Sequence, residues 1–271
     1  MIGNTIWLAL GLLVIASLIP GQKKSRYYLA GLGWGVFAVY WMSLSPYFYS
    51  IGDYVNVVLT LAAAFVSVFI GYTFVRHDKT IPLKINGIDI MTSLFMVTTA
   101  SAIGGISYFI FSEIPEMNRW LISTVTDQTF WLASALGVTV TRIDWNLLAV
   151  NGYRVEIILA CTAIESIALF LGLIVSTRAP FKRLASAFLI SVPVIYVLNL
   201  LRNVFIVNAY GMLWFGDPET SFYVAHTVIA KAGSLIALFV IAYAVLKILP
   251  EIINMIDGLM NLIGGIFKNA G

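Results

Sequence analysis

Apolar runs of about one bilayer span each, separated by short polar stretches, dominate this chain. Residues 5–19 form the first run, closed by Pro20 and Gly21 and followed by Lys23, Lys24 and Arg26. Residues 27–44 form the second, rich in Gly and aromatics, and SPYFYSIGDY (45–54) reads as a Tyr-rich interfacial loop. Residues 55–75 and 90–111 are the third and fourth runs, followed by RHDKTIPLK and SEIPEMNR. Residues 158–176, 184–207 and 226–249 complete the set. Pro193 marks a kink inside the sixth run, and 211–225 reads as a loop before the seventh.

Between the fourth and fifth runs the texture changes. Ser, Thr, Asp and Gln recur through residues 120–137, which predicts an amphipathic helix on the membrane surface or packed against the bundle. Residues 138–159 mix polar with β-branched residues, and Arg154, Val155, Glu156 and Ile157 alternate with period two, as in a short strand. After Pro250, apolar residues at helical spacing, with Glu251, Asp257 and Lys268 interspersed, predict an interfacial amphipathic helix. The expected fold class is an all-α polytopic membrane protein with about seven transmembrane helices. A small extracytoplasmic cap, an amphipathic helix plus a short strand, precedes Cys161. The chain reads as a single integral membrane domain over 1–271, divided into N-terminal spans (1–111), cap (112–159), later spans (160–249) and tail (250–271).

Composition sharpens this picture. Hydrophobic residues make up 60% and charged residues 11%, against about 25% charged in soluble domains. The net charge of +3 is too small and scattered to suggest a nucleic-acid partner. Residues 2–20 are apolar from the start, without a basic n-region, and read as the first span rather than a cleavable signal. With alternating spans, Lys23, Lys24, Arg26, Arg76, Lys79, Lys84, Arg178, Lys182, Arg183, Lys247 and Lys268 all fall on one side. Arg119, Arg142, Arg154, Arg202 and Lys231 remain on or near the other. The positive-inside rule makes the first side cytoplasmic and puts the N-terminus outside. The junctions carrying Cys161, Arg202 and His226 then share the extracytoplasmic face of the cell membrane.

Those three residues are the candidate site. Cys161 is the only cysteine, so the chain forms no internal disulfide. A lone cysteine in a helix is most often a small hydrophobe, but this one is followed by Thr162, Glu165 and Ser166. A carboxylate at a membrane boundary is costly unless paired or wetted, so the surroundings of Glu165 are expected to be polar. Arg202 could merely snorkel to headgroups; Asn199 and Asn203 beside it suggest a hydrogen-bonded niche instead. His226 could equally be an interfacial histidine. Lys231 lies below it and could pair with Glu165. The other histidine, His77, sits among Arg76, Asp78 and Lys79 and reads as a solvated loop residue. Cysteine acyl transfer needs a thiolate, a proton carrier and an oxyanion stabiliser, and Cys161, His226 and Arg202 can supply them. No metal-ligand spacing and no phosphate-binding Gly loop appears. GLGWG (31–35) falls inside a span and predicts close helix packing.

ACTAIES (160–166), NLLRN (199–203) and HTVIAKAGS (226–234) together resemble the exosortase/archaeosortase family of multi-pass membrane cysteine transpeptidases. The cysteine motif is the most specific of the three and the histidine motif the least. The resemblance implies Cys161 as nucleophile, Arg202 as the family's arginine and His226 at its third position. The Thr-x-Ile-Glu-Ser ending looks archaeal. What the resemblance implies as substrate is a C-terminal tripartite sorting signal of a surface-layer or other secreted protein: a short motif such as PGF, one transmembrane helix, then basic residues. Cleavage would pass the new C-terminus to a membrane lipid, and no cofactor or metal is implied. Two other readings use the same residues. A small transporter or channel would use Glu165, Arg202 and Lys231 as an intramembrane charged site, though neither an inverted repeat nor paired broken helices is visible. An intramembrane-type protease would release its product to water.

Overall fold

In this computed structural model the described residues are 2–21, 23–76, 84–85 and 88–269, with side chains described in the tail as far as Asn261. The expected loop around His77 and the side chain of Lys268 lie outside them. Helices dominate, accompanied by two small sheets. Among the described residues four helices are long and apolar enough to cross a membrane: Tyr54–Arg76, Ile90–Glu113, Phe181–Gly211 and Pro218–Ile248. Gly3–Leu18 and Ile164–Ser176 are apolar but shorter. The helix Lys24–Ser50 has the length yet is not among the four, being diluted by Tyr, Gly and Ser. The chain is thus polytopic, with four helices rather than seven meeting both requirements.

The chain divides into two compact units. The first comprises Met1–Ile106, Val175–Arg178 and Pro250–Gly271. It contains α1 (Ile2–Leu18), α2 (Lys24–Ser50), α3 (Tyr54–Arg76), a two-stranded hairpin of β1 (Lys84–Ile85) and β2 (Ile88–Asp89), most of α4 (Ile90–Glu113), and α10 (Glu251–Asn269). The 45–54 loop expected from the sequence is mostly helix. α2 continues through Pro46 and ends at Ile51, Gly52 turns the chain with φ of 75°, and Asp53 accepts the Asn56 N–H at 3.1 Å to start α3. Helix is favoured here because lipid offers backbone groups no partner, and neighbouring helices tolerate the proline. The Ser45 and Thr60 hydroxyls meet at 3.0 Å across the pair. The close packing expected of 31–35 is present: a Cβ on Gly31 would lie 3.2 Å from the Gly71 carbonyl, and one on Gly71 3.1 Å from the Gly31 carbonyl. Trp34 donates to Thr98 at 3.0 Å, so α2 also grips α4.

The second unit comprises Ser107–Ile174 and Ala179–Leu249. α5 (Pro115–Ala135) is the expected polar-patterned helix, and its buried face, including Leu121, Ile122, Val125 and Thr129, packs inward. Where one short strand was expected, the chain forms a three-stranded antiparallel meander of β3 (Thr141–Asp144), β4 (Leu147–Val150) and β5 (Tyr153–Glu156). Its β4–β5 turn is Asn151 and Gly152, both with positive φ (51° and 84°), the geometry that favours an Asn-Gly hairpin. The period-two alternation is real: Val155 and Ile157 are buried while Arg154 and Glu156 are exposed. Leu148, Val150, Val155 and Ile157 join Leu121, Val125, Val204 and Val207 in one core, so the sheet is clamped to α5 and α7.

After β5 comes a single 3₁₀ turn, Leu159–Cys161, then α6 (Ile164–Ser176), α7 (Phe181–Gly211) and a long helix that begins at Pro218. That last helix is α8 (Pro218–Phe222), a π-helical stretch Tyr223–Ile229 and α9 (Ala230–Ile248) in unbroken succession. Residues 218–225 are therefore helix, not loop, because Asp217 caps the start through Thr220 and Pro218 occupies the first turn. Arg183 near the start of α7 donates to the Ile248 carbonyl at 2.8 and 2.6 Å. The cation thus satisfies the C-terminal end of α9, and α7 and α9 run antiparallel.

Candidate active site

The site begins with local backbone. Ile158 is extended, Leu159–Cys161 make one 3₁₀ turn, and Ala163 takes φ of 61° before α6 starts. Cys161 is therefore not inside the fifth span, as the apolar run suggested. Thr162 and a left-handed alanine separate it from the helix, so Glu165 is not one helical turn away from it. A non-glycine residue in this region is strained and persists only where its surroundings hold it. Thr162, almost fully buried, supplies part of that hold: its hydroxyl donates to the Leu159 carbonyl at 2.7 Å and accepts the Ile164 N–H at 3.4 Å.

α7 supplies the rest. Asn199 and Asn203 are four residues apart and so share a helix face. Both Nδ2 groups donate to the Cys161 carbonyl, at 2.7 and 2.9 Å, and both side chains are buried. Arg202 donates through Nη1 to the Asn203 Oδ1 at 3.4 Å. A chain of hydrogen bonds thus runs from the guanidinium through an amide to the backbone of the cysteine.

His226 sits in the π-helical stretch, stacked on Phe222 with ring centroids 5.1 Å apart and planes 7° apart. π-helical geometry is rare and is frequently found at functional positions. The charges of Arg202 and Lys231 both act on this imidazole. Among the described residues no hydrogen bond joins His226 to Cys161. Beside the turn, α6, α7 and α9 enclose a cavity of about 580 Å³. Its walls are mostly aliphatic, and its polar lining is Glu165, Ser166, Asn199, Arg202, Lys231 and Ser234. Glu165 and Lys231 share this space, but among the described residues no ion pair joins them. The structure therefore brings Cys161, Thr162, Asn199, Arg202 and Asn203 into one bonded cluster. It places His226 on the π-helical stretch that packs against α7, and Glu165, Ser166 and Lys231 on the cavity wall.

The sequence profile of the transmembrane exosortase family matches residues 3–246. The chain belongs to that family. Archaeosortase A of Haloferax volcanii is 29% identical to this exosortase-family chain over 296 residues, covering 96% of this chain and 93% of the relative. Archaeosortase A of Natronomonas pharaonis is 28% identical over 283 residues, covering 93% and 84% respectively. No solved structure matches.

Two supporting contacts of this family member escaped the sequence reading. Arg142 on β3 forms an ion pair with Asp127 on α5 and donates to Ser123 Oγ and to the carbonyls of Asp144 and Trp145 at 3.0–3.1 Å. It latches the sheet to the helix. Tyr196 on α7 donates to Gln128 on α5 at 2.5 Å. The signal for both was the run of polar residues in 120–137, whose partners only the tertiary fold reveals.

Proposed function

We propose that this protein is a membrane sorting transpeptidase in which Cys161 is the nucleophile, His226 the proton carrier and Arg202 the stabiliser of negative charge. Its substrate is the C-terminal tail of a surface protein, comprising a short motif, one transmembrane helix and basic residues. The Cys161 thiol gives its proton to His226, and sulfur attacks the scissile carbonyl. Arg202 holds the oxyanion and favours the thiolate. The C–N bond then breaks, the leaving amine takes the proton from the imidazolium, and a thioester remains on Cys161. A lipid amine attacks that thioester, the C–S bond breaks, and the new C-terminus is passed to the lipid. Water in place of the amine would give a free carboxylate.

The observation that carries this reading is the double amide clamp on the Cys161 carbonyl with Arg202 bonded to the clamp. Such a support fixes where the sulfur begins and keeps a permanent cation near it. Family membership and the two relatives named archaeosortase A support it independently. Acid–base pairs commonly tighten only with substrate present, so the lack of a His226–Cys161 hydrogen bond among the described residues is compatible with the roles assigned. The charge bias of the loops supports a site on the extracytoplasmic face, where a membrane-spanning tail would deliver its scissile bond. The meander preceding the 3₁₀ turn would present that peptide in extended form.

The test is processing of a surface protein carrying a PGF-type tail by wild type and by Cys161→Ala, Arg202→Ala and His226→Ala, with mass analysis of the product. Cleavage lost with Cys161→Ala and reduced on the order of a hundredfold or more in the other two is expected. A lipid-bearing C-terminus means transfer, and a free carboxylate means hydrolysis.

A further inference from the structure

A second polar cavity lies within the first unit. It measures about 200 Å³ and is bounded by the α1–α2 turn (Gly21, Arg26), the start of α4 (Asp89, Thr92, Phe95) and Arg178. Two arginines line so small a space, close enough for the charge of Arg178 to act on Arg26. Like charges held together in a half-enclosed site are unfavourable unless an anion joins them.

Among the described residues none supplies such an anion at contact distance. Among the described residues neither arginine has an ion-pair partner. Asp89 faces the cavity, but its carboxylate is engaged as a helix cap. Oδ1 accepts the N–H groups of Met91 and Thr92 at 3.0 and 3.3 Å, and Oδ2 accepts the Thr92 hydroxyl at 2.9 Å. The cavity therefore retains an excess of positive charge.

Arg26 is also fixed in place. Nε donates to the Ala16 carbonyl at 3.1 Å, Nη1 donates to the Gly21 carbonyl at 3.2 Å, and the guanidinium lies over the Phe95 ring at 3.5 Å. Its donors on Nη2 make none of these bonds. A guanidinium locked by two carbonyls and an aromatic face is preorganised, so little ordering entropy is lost when its remaining donors meet a ligand. Arg178 is exposed and makes no hydrogen bond among the described residues, so it can close on whatever Arg26 holds.

We infer that this cavity binds a phosphate group between Arg26 and Arg178. Guanidinium forks match phosphate oxygens, and two of them can grip a single phosphoryl group from both sides. The volume admits a phosphate ester but not a nucleotide. Arg26 stands in the first turn of α2, among the basic residues that follow the first span, which is headgroup depth in a membrane. A lipid phosphodiester and free inorganic phosphate present the same oxygens, and the experiment separates them. Bound there, the phosphate ties the α1–α2 turn to the start of α4 and to the segment after α6.

The test uses the full chain, delipidated in detergent. Binding is measured by native mass spectrometry and thermal shift with phosphatidylglycerol, with diacylglycerol, which lacks the phosphate, and with inorganic phosphate. Arg178→Gln is the principal variant, since Arg178 is exposed and makes no hydrogen bond among the described residues, and Lys182→Gln is the control outside the cavity. Saturable binding of phosphatidylglycerol but not diacylglycerol is expected, weakened about tenfold or more by Arg178→Gln and unchanged by Lys182→Gln. Binding of inorganic phosphate with the same dependence on Arg178 would name the free ion as ligand. Arg178→Gln matching wild type for both phosphate-bearing probes, or no binding of either by wild type, would overturn the inference.

Discussion

Asn203 donates its side-chain amide to the carbonyl oxygen of Cys161 at 2.9 Å while accepting from Arg202 through its other end. One amide thus ties the backbone of Cys161 to the guanidinium of Arg202, the proposed nucleophile and the proposed stabiliser of negative charge. Replacing it with Ala leaves the carbonyl one bond from Asn199 and frees the guanidinium. Small displacements of a reacting group are costly in rate. Asn203→Ala should lower kcat on the order of tenfold to a hundredfold, and Asn199→Ala/Asn203→Ala further, with the protein still folded. Single-turnover cleavage alongside a thermal melt separates this from simple unfolding.

Gly211 sits where α7 passes β4 with no room for a side chain. A Cβ there would lie 2.3 Å from the Val150 Cβ and 3.1 Å from its carbonyl oxygen. Neither atom is the loose end of a side chain, so helix or strand must move. Gly211→Ala is expected to cost about 1–3 kcal/mol through overpacking, seen as a lowered melting temperature. An unchanged melt would mean that the sheet is not held against α7 as described.

Arg142 latches the meander to α5 through the Asp127 ion pair and the Ser123 hydrogen bond, and two further bonds to the Asp144 and Trp145 carbonyls hold it within the meander. The pair itself is partly exposed and contributes about 0–1 kcal/mol. Arg142→Ala, which removes all four contacts, should therefore destabilise more than Asp127→Ala, which removes one. Chemical denaturation of the two variants in the same detergent gives the comparison.

The start of the Pro218–Ile248 helix carries a pH signature. The Thr220 hydroxyl and N–H, bonded to the Asp217 carboxylate, hold it below the usual carboxylate range. Its folded value lies below its unfolded one. The stability it gives is thus fully present above the unfolded carboxylate value and is lost as pH falls through the folded value. The melting temperature of wild type should drop more than that of Asp217→Ala as the buffer is taken from neutral into the acid range. Parallel pH curves would show that the cap adds nothing.

The sequence made the membrane character legible because a bilayer imposes one rule, an apolar run of fixed length, on every span. It blurred the helix ends, where local contacts decide. Pro46 looked like a stop, yet α2 runs past it. His226 looked like the first residue of a span, yet it lies in the π-helical middle of a helix that Asp217 and Pro218 begin. That start was readable, since a capping residue followed by proline is a helix N-terminus signal. The meander was half readable: alternation at 154–157 marked β5, and Asn151 with Gly152 marked the hairpin. β3 carried no clear sign, because all four of its residues are exposed. The two asparagines flanking Arg202 pointed to a polar niche, but that they clamp a backbone carbonyl follows only from the 3₁₀ turn. Nothing in the types of residues 161–163 announces an alanine at positive φ.

The most direct measurement of the role of Cys161 is cleavage of a tail-bearing substrate by Cys161→Ala beside wild type, at matched amounts of folded protein. Wild type is expected to cleave, with a thioester adduct on Cys161 that hydroxylamine releases, and Cys161→Ala to show no cleavage. Undiminished cleavage by Cys161→Ala would contradict that role.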